Sequence, residues 1–257
     1  MLKLQNPPTS RCEACRDGVT PPFPITMAFQ PIIDVATKQV FAYEALVRGL
    51  QQEPVGVILS QVNDQNRYAF DQNCRVKAIE LAAKLGLVNT GARLAINFMP
   101  GAVYSPAACI QLTLRTAAAQ NFPSDKLIFE ITEAEEVADS GHLLSIVEEY
   151  RRQGFQVALD DLGSGYSGLN LLADLTPNLV KMDMALIRNI DQRPTASTIV
   201  AKLVELCEGL HIDLIAEGVE TEAEFFTLRR LGIRLMQGYL LGRPAFEALG
   251  GFTIPAR

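Results

Sequence analysis

Eight short apolar runs of strand character, most of the later ones separated by helical patterns, constrain this chain more than any other feature. ITMAFQPII (25–33) and KQVFAYEAL (38–46) are joined by a tight polar turn at Ala36–Thr37. A turn that short fits an antiparallel hairpin, because a parallel crossover needs about a dozen residues or more. RLAINF (93–98), KLIFEI (126–131), FQVALD (155–160), NLVKMD (178–183), IDLIAE (212–217) and IRLMQG (233–238) follow. Helix-like segments occupy 55–63, 66–85, 104–119, 140–153, 166–174, 194–210 and 221–231. Such alternation predicts a parallel sheet with helical crossovers. Eight units in about 235 residues favour closure into a barrel over an open sheet. The expected fold is α/β, a (β/α)8 barrel over 24–257, with the Pro-rich, polar residues 1–23 as a flexible leader or tether.

The polar residues of these runs carry the chemistry. Buried barrel strands are apolar, yet nearly every one here ends in a charged or metal-capable side chain. In order these are Glu44, Asn97, Glu130, Asp160 followed by Asp161, Lys181 followed by Asp183, Glu217 and Gln237. In a barrel of this type the C-terminal strand ends converge on the catalytic face. Each residue alone has a plainer reading: a strand-end Glu is commonly a solvated charge. Asp160–Asp161 before Gly163-Ser164-Gly165 can cap a helix, and Lys181 with Asp183 can be a structural ion pair. Six such coincidences at the same end of successive strands outweigh the plain readings. Clustered carboxylates repel one another, so they stay protonated or take up cations. An all-oxygen ligand set suits Mg²⁺, Mn²⁺ or Ca²⁺ better than zinc. The two histidines, His142 and His211, fall in helix or helix-end patterns, which argues against a His-based zinc site or a Ser–His–Asp triad.

Composition narrows the classes further. The net charge of −6 argues against binding a nucleic-acid polymer, though bound cations would let an acidic pocket hold a small anion. Apolar runs are far shorter than the roughly 20 residues of a membrane span. No apolar signal segment opens the chain, so a cytoplasmic setting is expected. Cys74, Cys109 and Cys207 lie singly in apolar helical patterns and are expected as buried thiols. Cys12 and Cys15 form one CxxC, either incidental or a redox or shared-zinc pair.

At this point the residues resemble a known family. Tyr43-Glu44-Ala45-Leu46-Val47-Arg48 resembles the signature of the EAL-domain cyclic di-GMP phosphodiesterases. Phe29-Gln30-Pro31-Ile32, Ile96-Asn97-Phe98, Phe129-Glu130-Ile131-Thr132-Glu133 and Asp160-Asp161-Leu162-Gly163-Ser164-Gly165-Tyr166-Ser167 are similar to further motifs of that family, in its order. Val180-Lys181-Met182-Asp183, Ala216-Glu217-Gly218-Val219-Glu220 and Gln237-Gly238-Tyr239-Leu240 complete the series, over about residues 25–245. Ala42 stands where the family often has Gly, and Gly49 where a Trp is common; neither is a ligand position.

The resemblance implies a modified TIM barrel with one antiparallel strand, in agreement with the hairpin. It implies a phosphodiesterase that hydrolyses cyclic di-GMP to linear 5′-pGpG with two Mg²⁺ or Mn²⁺ ions per site, working as a homodimer. A non-catalytic cyclic di-GMP receptor on the same fold is the alternative. Glu44, Asn97, Glu130 and Asp160 resemble ligands of the first ion. Asp160 would bridge to a second ion served by Asp161 and, directly or through water, by Glu217. Lys181 would orient the attacking water, with Glu217 as the competing base, and Gln237 would hold a water at the ions. Gln30, Arg48, Asp183 and Gln237 are assigned to substrate contact, and Glu133 to anchoring the mobile loop.

Overall fold

The computed structural model describes residues 23–132, 140–163, 165 and 168–256. The chain runs β1 (Thr26–Asp34), β2 (Gln39–Arg48), α1 (Val55–Leu59), α2 (Arg67–Lys84), β3 (Arg93–Asn97), α3 (Pro106–Cys109), α4 (Gln111–Ala119) and β4 (Leu127–Thr132). It continues with α5 (Ser140–Arg152), β5 (Gln156–Leu162), α6 (Gly168–Leu175), β6 (Leu179–Met182), α7 (Met184–Ile187), α8 (Pro194–Leu210), β7 (Asp213–Ala216), α9 (Glu222–Arg230), β8 (Leu235–Met236) and β9 (Ala245–Phe246).

Strands β2 to β8 pair in parallel in chain order, and β1 closes the ring between β8 and β2. β1 runs antiparallel to both neighbours. The expected hairpin is therefore the device that closes the barrel. Its turn is fixed locally: Asp34 Oδ1 accepts from the amides of Ala36 at 3.0 Å and Thr37 at 3.1 Å, as an Asp side chain does in place of a backbone turn.

Three details depart from the expectation. The segment 104–119 holds two helices, α3 and α4, with Pro106 in the first turn of α3. Helix α7 lies where no helix was expected, because four residues give too little periodicity to read. Strand β9 adds to the outside of β1 through Ala28 and Phe246, and a two-residue strand has no alternation to betray it. The leader expected over 1–23 and the pair Cys12 and Cys15 lie, Phe23 apart, outside the described residues.

The barrel interior is layered. Ile32, Ala42, Ala95, Ile128, Ala158, Leu179, Ile215 and Leu235 form one buried cluster, one residue from each of the eight barrel strands. Small alanines on β2, β3 and β5 face larger Ile and Leu on the other strands, which lets one layer fill the cross-section. Outside the strands, Phe98, Phe129, Tyr150 and Phe155 pack edge to face or tilted beneath α2 and α5. A second apolar cluster seats α8 and α9 on β6 to β8 through Val200, Val204, Phe225 and Leu228. Cys74, Cys109 and Cys207 are buried, as expected.

Candidate active site

The site is the next interior layer of the same barrel. Side chains two residues apart on a strand share a face. One such step from each member of the apolar layer gives Gln30, Glu44, Asn97, Glu130, Asp160, Lys181, Glu217 and Gln237. On antiparallel β1 the step runs backwards, from Ile32 to Gln30. Strand register sets them side by side: Gln30 opposes Glu44, and Asn97 opposes Glu130. The strand-end carboxylates, amides and ammonium read from the sequence thus converge within one ring.

Lys181 is at the centre and is 1% exposed. Its Nζ lies 2.8 Å from Glu217, 3.1 Å from Asp160, 3.2 Å from Glu130 and 3.5 Å from Glu44. Glu44 is further held by Asn97 Nδ2 at 3.1 Å and Gln237 Nε2 at 2.8 Å. Gln237 follows β8 directly, and Gly238 follows it. A Cβ on Gly238 would come within 2.1 Å of Val219 O, so only glycine lets the loops after β7 and β8 approach this closely.

Asp160 and Asp161 are consecutive, and a regular strand would send them to opposite faces. The pairing of β5 with β6 instead slips between Leu159 and Leu162, and Asp161 takes a left-handed φ of 58°. The irregularity re-aims the strand end as a bulge does, and Asp tolerates the left-handed region better than most residues. Both carboxylates thereby reach the site.

Burial raises every carboxyl of the ring against the pull of Lys181. For Glu44 the pull wins, aided by Gln237 and Asn97, and its carboxyl is held below the usual range. Burial and the neighbouring carboxylates keep Glu130 and Asp160 raised. Burial, then Asp160, lifts Asp161 to about 6. Burial lifts Glu217 to about 8, with Asp160 and Glu44 adding to it. Burial would lower Lys181, but the surrounding carboxylates drive it well above an ordinary lysine.

The donor set fits divalent cations. Among the described residues, Glu44, Glu130 and Asp160 offer oxygens within 4.8 Å of one another, and so do Asp160, Asp161 and Glu217. Asp160 belongs to both groups. These are hard oxygen donors suited to Mg²⁺, Mn²⁺ or Ca²⁺. Gln237 Oε1 is buried without a hydrogen-bond partner, an acceptor available to a polar ligand.

A cavity of about 350 Å³ opens from Glu44, Asn97, Asp160 and Asp161 and extends past Arg48 toward Val55, Leu59, Phe70 and Cys74. Arg48 Nη1 donates to Val47 O at 2.7 Å. Gln30 Nε2 donates to Gly242 O at 3.1 Å. Asp183 caps α7, accepting from Ala185 N at 2.7 Å, and its charge helps raise Asp161. Glu133 lies outside the described residues. His142 sits in α5 and His211 caps α8, and neither joins the two groups of carboxylates among the described residues. Sequence reasoning missed Asp71, a buried carboxylate of α2 that lines the same cavity. The sequence offered no signal for it: Asp71 and Arg75 lie among Gln72, Asn73 and Lys77, a polar stretch of the kind that also faces water. No described helix is long and apolar enough to cross a membrane.

A family model described as EAL domain matches residues 24–244. The structure of a standalone versatile EAL protein from Vibrio cholerae O395, in a c-di-GMP bound form, aligns with a TM-score of 0.87 at 52% identity, covering 91% of this chain and 98% of that one. A Klebsiella pneumoniae BlrP1 manganese/cy-diGMP complex aligns with a TM-score of 0.84 at 34% identity, covering 91% and 59%. Among curated relatives, the antirepressor BluF of Escherichia coli is 26% identical over 90% of this chain, and the cyclic di-GMP phosphodiesterase PdeR of the same organism is 34% identical over 49%. The chain spans 57% of the length of BluF and 20% of that of PdeR.

Proposed function

The chain belongs to the EAL domain family, and on that premise we propose that it hydrolyses one phosphodiester bond of cyclic di-GMP to give linear 5′-pGpG. The observation that carries this reading is the complete polar ring: all four carboxylate positions of the barrel strands, the three amides Gln30, Asn97 and Gln237 and the central lysine are in place, and Asp161 joins them. Two divalent cations, Mg²⁺ or Mn²⁺, held by Glu44, Asn97, Glu130 and Asp160 and by Asp160, Asp161 and Glu217, would make water nucleophilic near neutral pH and offset charge on the phosphoryl oxygens.

The chain's own groups do the rest. The water oxygen attacks phosphorus and gives up a proton, the bond from phosphorus to the ribose 3′ oxygen breaks, and that oxygen takes a proton from solvent to leave as the 3′ hydroxyl. Lys181, contacting four carboxylates, is placed to orient the water through its Nζ protons. Glu217, 2.8 Å from Lys181 Nζ, is placed to accept the water's proton when ionised. Gln237 fixes Glu44 through one amide atom and offers the other to a water. Gln30, Arg48 and Asp183 contact substrate, and Glu133 anchors the loop that follows β5. Cyclic di-GMP complexes of the Vibrio and Klebsiella proteins support the substrate, and the manganese complex supports the ions. A homodimer in the cytoplasm completes the proposal.

Incubation with cyclic di-GMP and Mg²⁺ or Mn²⁺, followed by chromatography, tests it. The expected product is pGpG. The second reading is a receptor that binds the dinucleotide without cleaving it; BluF is named for antirepression and not for hydrolysis. Saturable binding with no pGpG would establish that reading, and neither binding nor turnover would remove both.

A further inference from the structure

We propose that Asp71 and Arg75, an ion pair buried on the outer side of the barrel, position the ligand-bearing ends of β3 and β4 for cation binding; the proposal rests on the ion site argued above. Arg75 Nη2 lies 2.6 Å from Asp71 Oδ2, with side chains 0% and 1% exposed. Arg75 Nη1 donates to Tyr150 Oη at 2.5 Å. The guanidinium also stands 5.1 Å from the ring centre of Phe98, 5.5 Å from Phe129 and 5.7 Å from Tyr150.

Two of those rings are sequence neighbours of candidate ligands. Phe98 follows Asn97, and Phe129 precedes Glu130. Strand alternation turns Asn97 and Glu130 into the barrel and Phe98 and Phe129 out of it. Arg75 therefore grips, from outside, the two strands whose inner faces carry adjacent ligands. Asp71 finishes the grip: its Oδ1 accepts from Met99 N at 2.9 Å. Phe98 N is held by Glu130 O at 3.2 Å, so both amides after Asn97 are fixed. Asn97 in turn holds Glu44.

A buried ion pair is a poor way to gain stability, since apolar replacement is often neutral or stabilising. Its use here is placement. The acceptor offered to Met99 N is the working part, and Arg75 keeps that acceptor aimed. Groups behind a metal's ligands commonly set affinity.

The test compares two double variants, each free of a lone buried charge, by Mn²⁺ titration calorimetry below the melting temperature. Asp71→Asn/Arg75→Met keeps an acceptor for Met99 N, and its Mn²⁺ Kd should stay within about twofold of the unaltered protein, whereas Asp71→Leu/Arg75→Met has none and should bind about tenfold more weakly. Val200→Ala, on the core-facing side of α8, lowers Tm without touching this network and should leave the Kd unchanged. Equal Kd values in the two double variants, or a Kd that follows Tm across all three proteins, overturn the proposal. Should Asp71→Leu/Arg75→Met not fold, Asp71→Ala/Arg75→Met gives the reading: it also offers Met99 N no side-chain acceptor, so binding about tenfold weaker than in the unaltered protein is expected, and a Kd equal to that of Asp71→Asn/Arg75→Met overturns the proposal. Absence of Mn²⁺ binding to the unaltered protein would instead overturn the underlying ion site.

Discussion

At the scale of single residues, Glu44 is the sharpest test of the ring. It touches Lys181, Asn97 and Gln237 at once and belongs to the first group of three carboxylates. Glu44→Ala should cut kcat by about a thousandfold, the scale of losing one preorganised electrostatic group; near-normal pGpG formation would remove Glu44 from the ion set. The raised carboxyls give a second expectation. Cations compete with protons on Asp161, at about 6, and on Glu217, at about 8. Those raised values mean that, in the absence of cations, the two groups contribute stability below the ordinary carboxylate range and lose it as pH climbs through 6 and then 8. Cation binding should therefore strengthen over the same interval and release protons. Calorimetry in buffers of different ionisation enthalpy reads both, and a Kd flat from pH 5.5 to about 8.5 would contradict the shifts. The ring residues were legible in the sequence because each interrupts an apolar strand. Asp71 and Arg75 were not, because charges four apart on a helix look the same whether they face water or the core. Only tertiary packing, with Arg75 0% exposed, distinguishes the two.

At the scale of elements, the hairpin and the parallel strands were readable from turn length and alternation, and β1 and β2 formed within two residues of where they were expected. The slip in β5 was not readable. Asp160 and Asp161 stand next to each other in the sequence, and nothing local says that Asp161 adopts a left-handed backbone to bring both to one face. That information lies in the pairing with β6, a contact across the crossover. The loops after β7 and β8 are likewise joined by tertiary contact, at Gly238 against Val219. Gly238→Ala places a methyl group where backbone already stands, so the two loops must part. Overpacking of this kind costs about 1–3 kcal/mol, or roughly 2–12 °C in Tm for a chain of this size. Because Gln237 precedes the substituted residue, kcat should fall as well, beyond what the lost stability explains. Urea unfolding alongside initial rates checks both, and a variant with unchanged Cm and kcat would show that the approach is not tight in solution.

At the scale of the whole molecule, the barrel closes through one strand of reversed direction, and the C-terminal segment braces that strand. Gly242 O accepts from Gln30, Gly250 O accepts from Tyr43 at 3.0 Å, and Glu247 accepts from Thr26 at 2.5 Å. The backbone adds Glu247 N to Met27 O at 3.0 Å and the pairing of Ala28 with Phe246. None of this was legible, since the contacts join residues some 200 positions apart and the segment has no periodicity of its own. Its consequence divides the site in two. Glu130, Asp160 and Glu217 stand off the hairpin, and Glu44, although on β2, is held by Lys181, Asn97 and Gln237, whereas Gln30 and Arg48, assigned to substrate, sit on the braced hairpin. Ending the chain after Arg243 removes the ties to Thr26, Met27 and Tyr43 but leaves Gly242 and the whole carboxylate ring. Tm should fall, and KM for the dinucleotide should rise, while the Mn²⁺ Kd changes little. Steady-state kinetics and calorimetry on the same preparation separate these effects: a KM that stays constant while the Mn²⁺ Kd weakens would place the brace under the ions instead of under the substrate contacts.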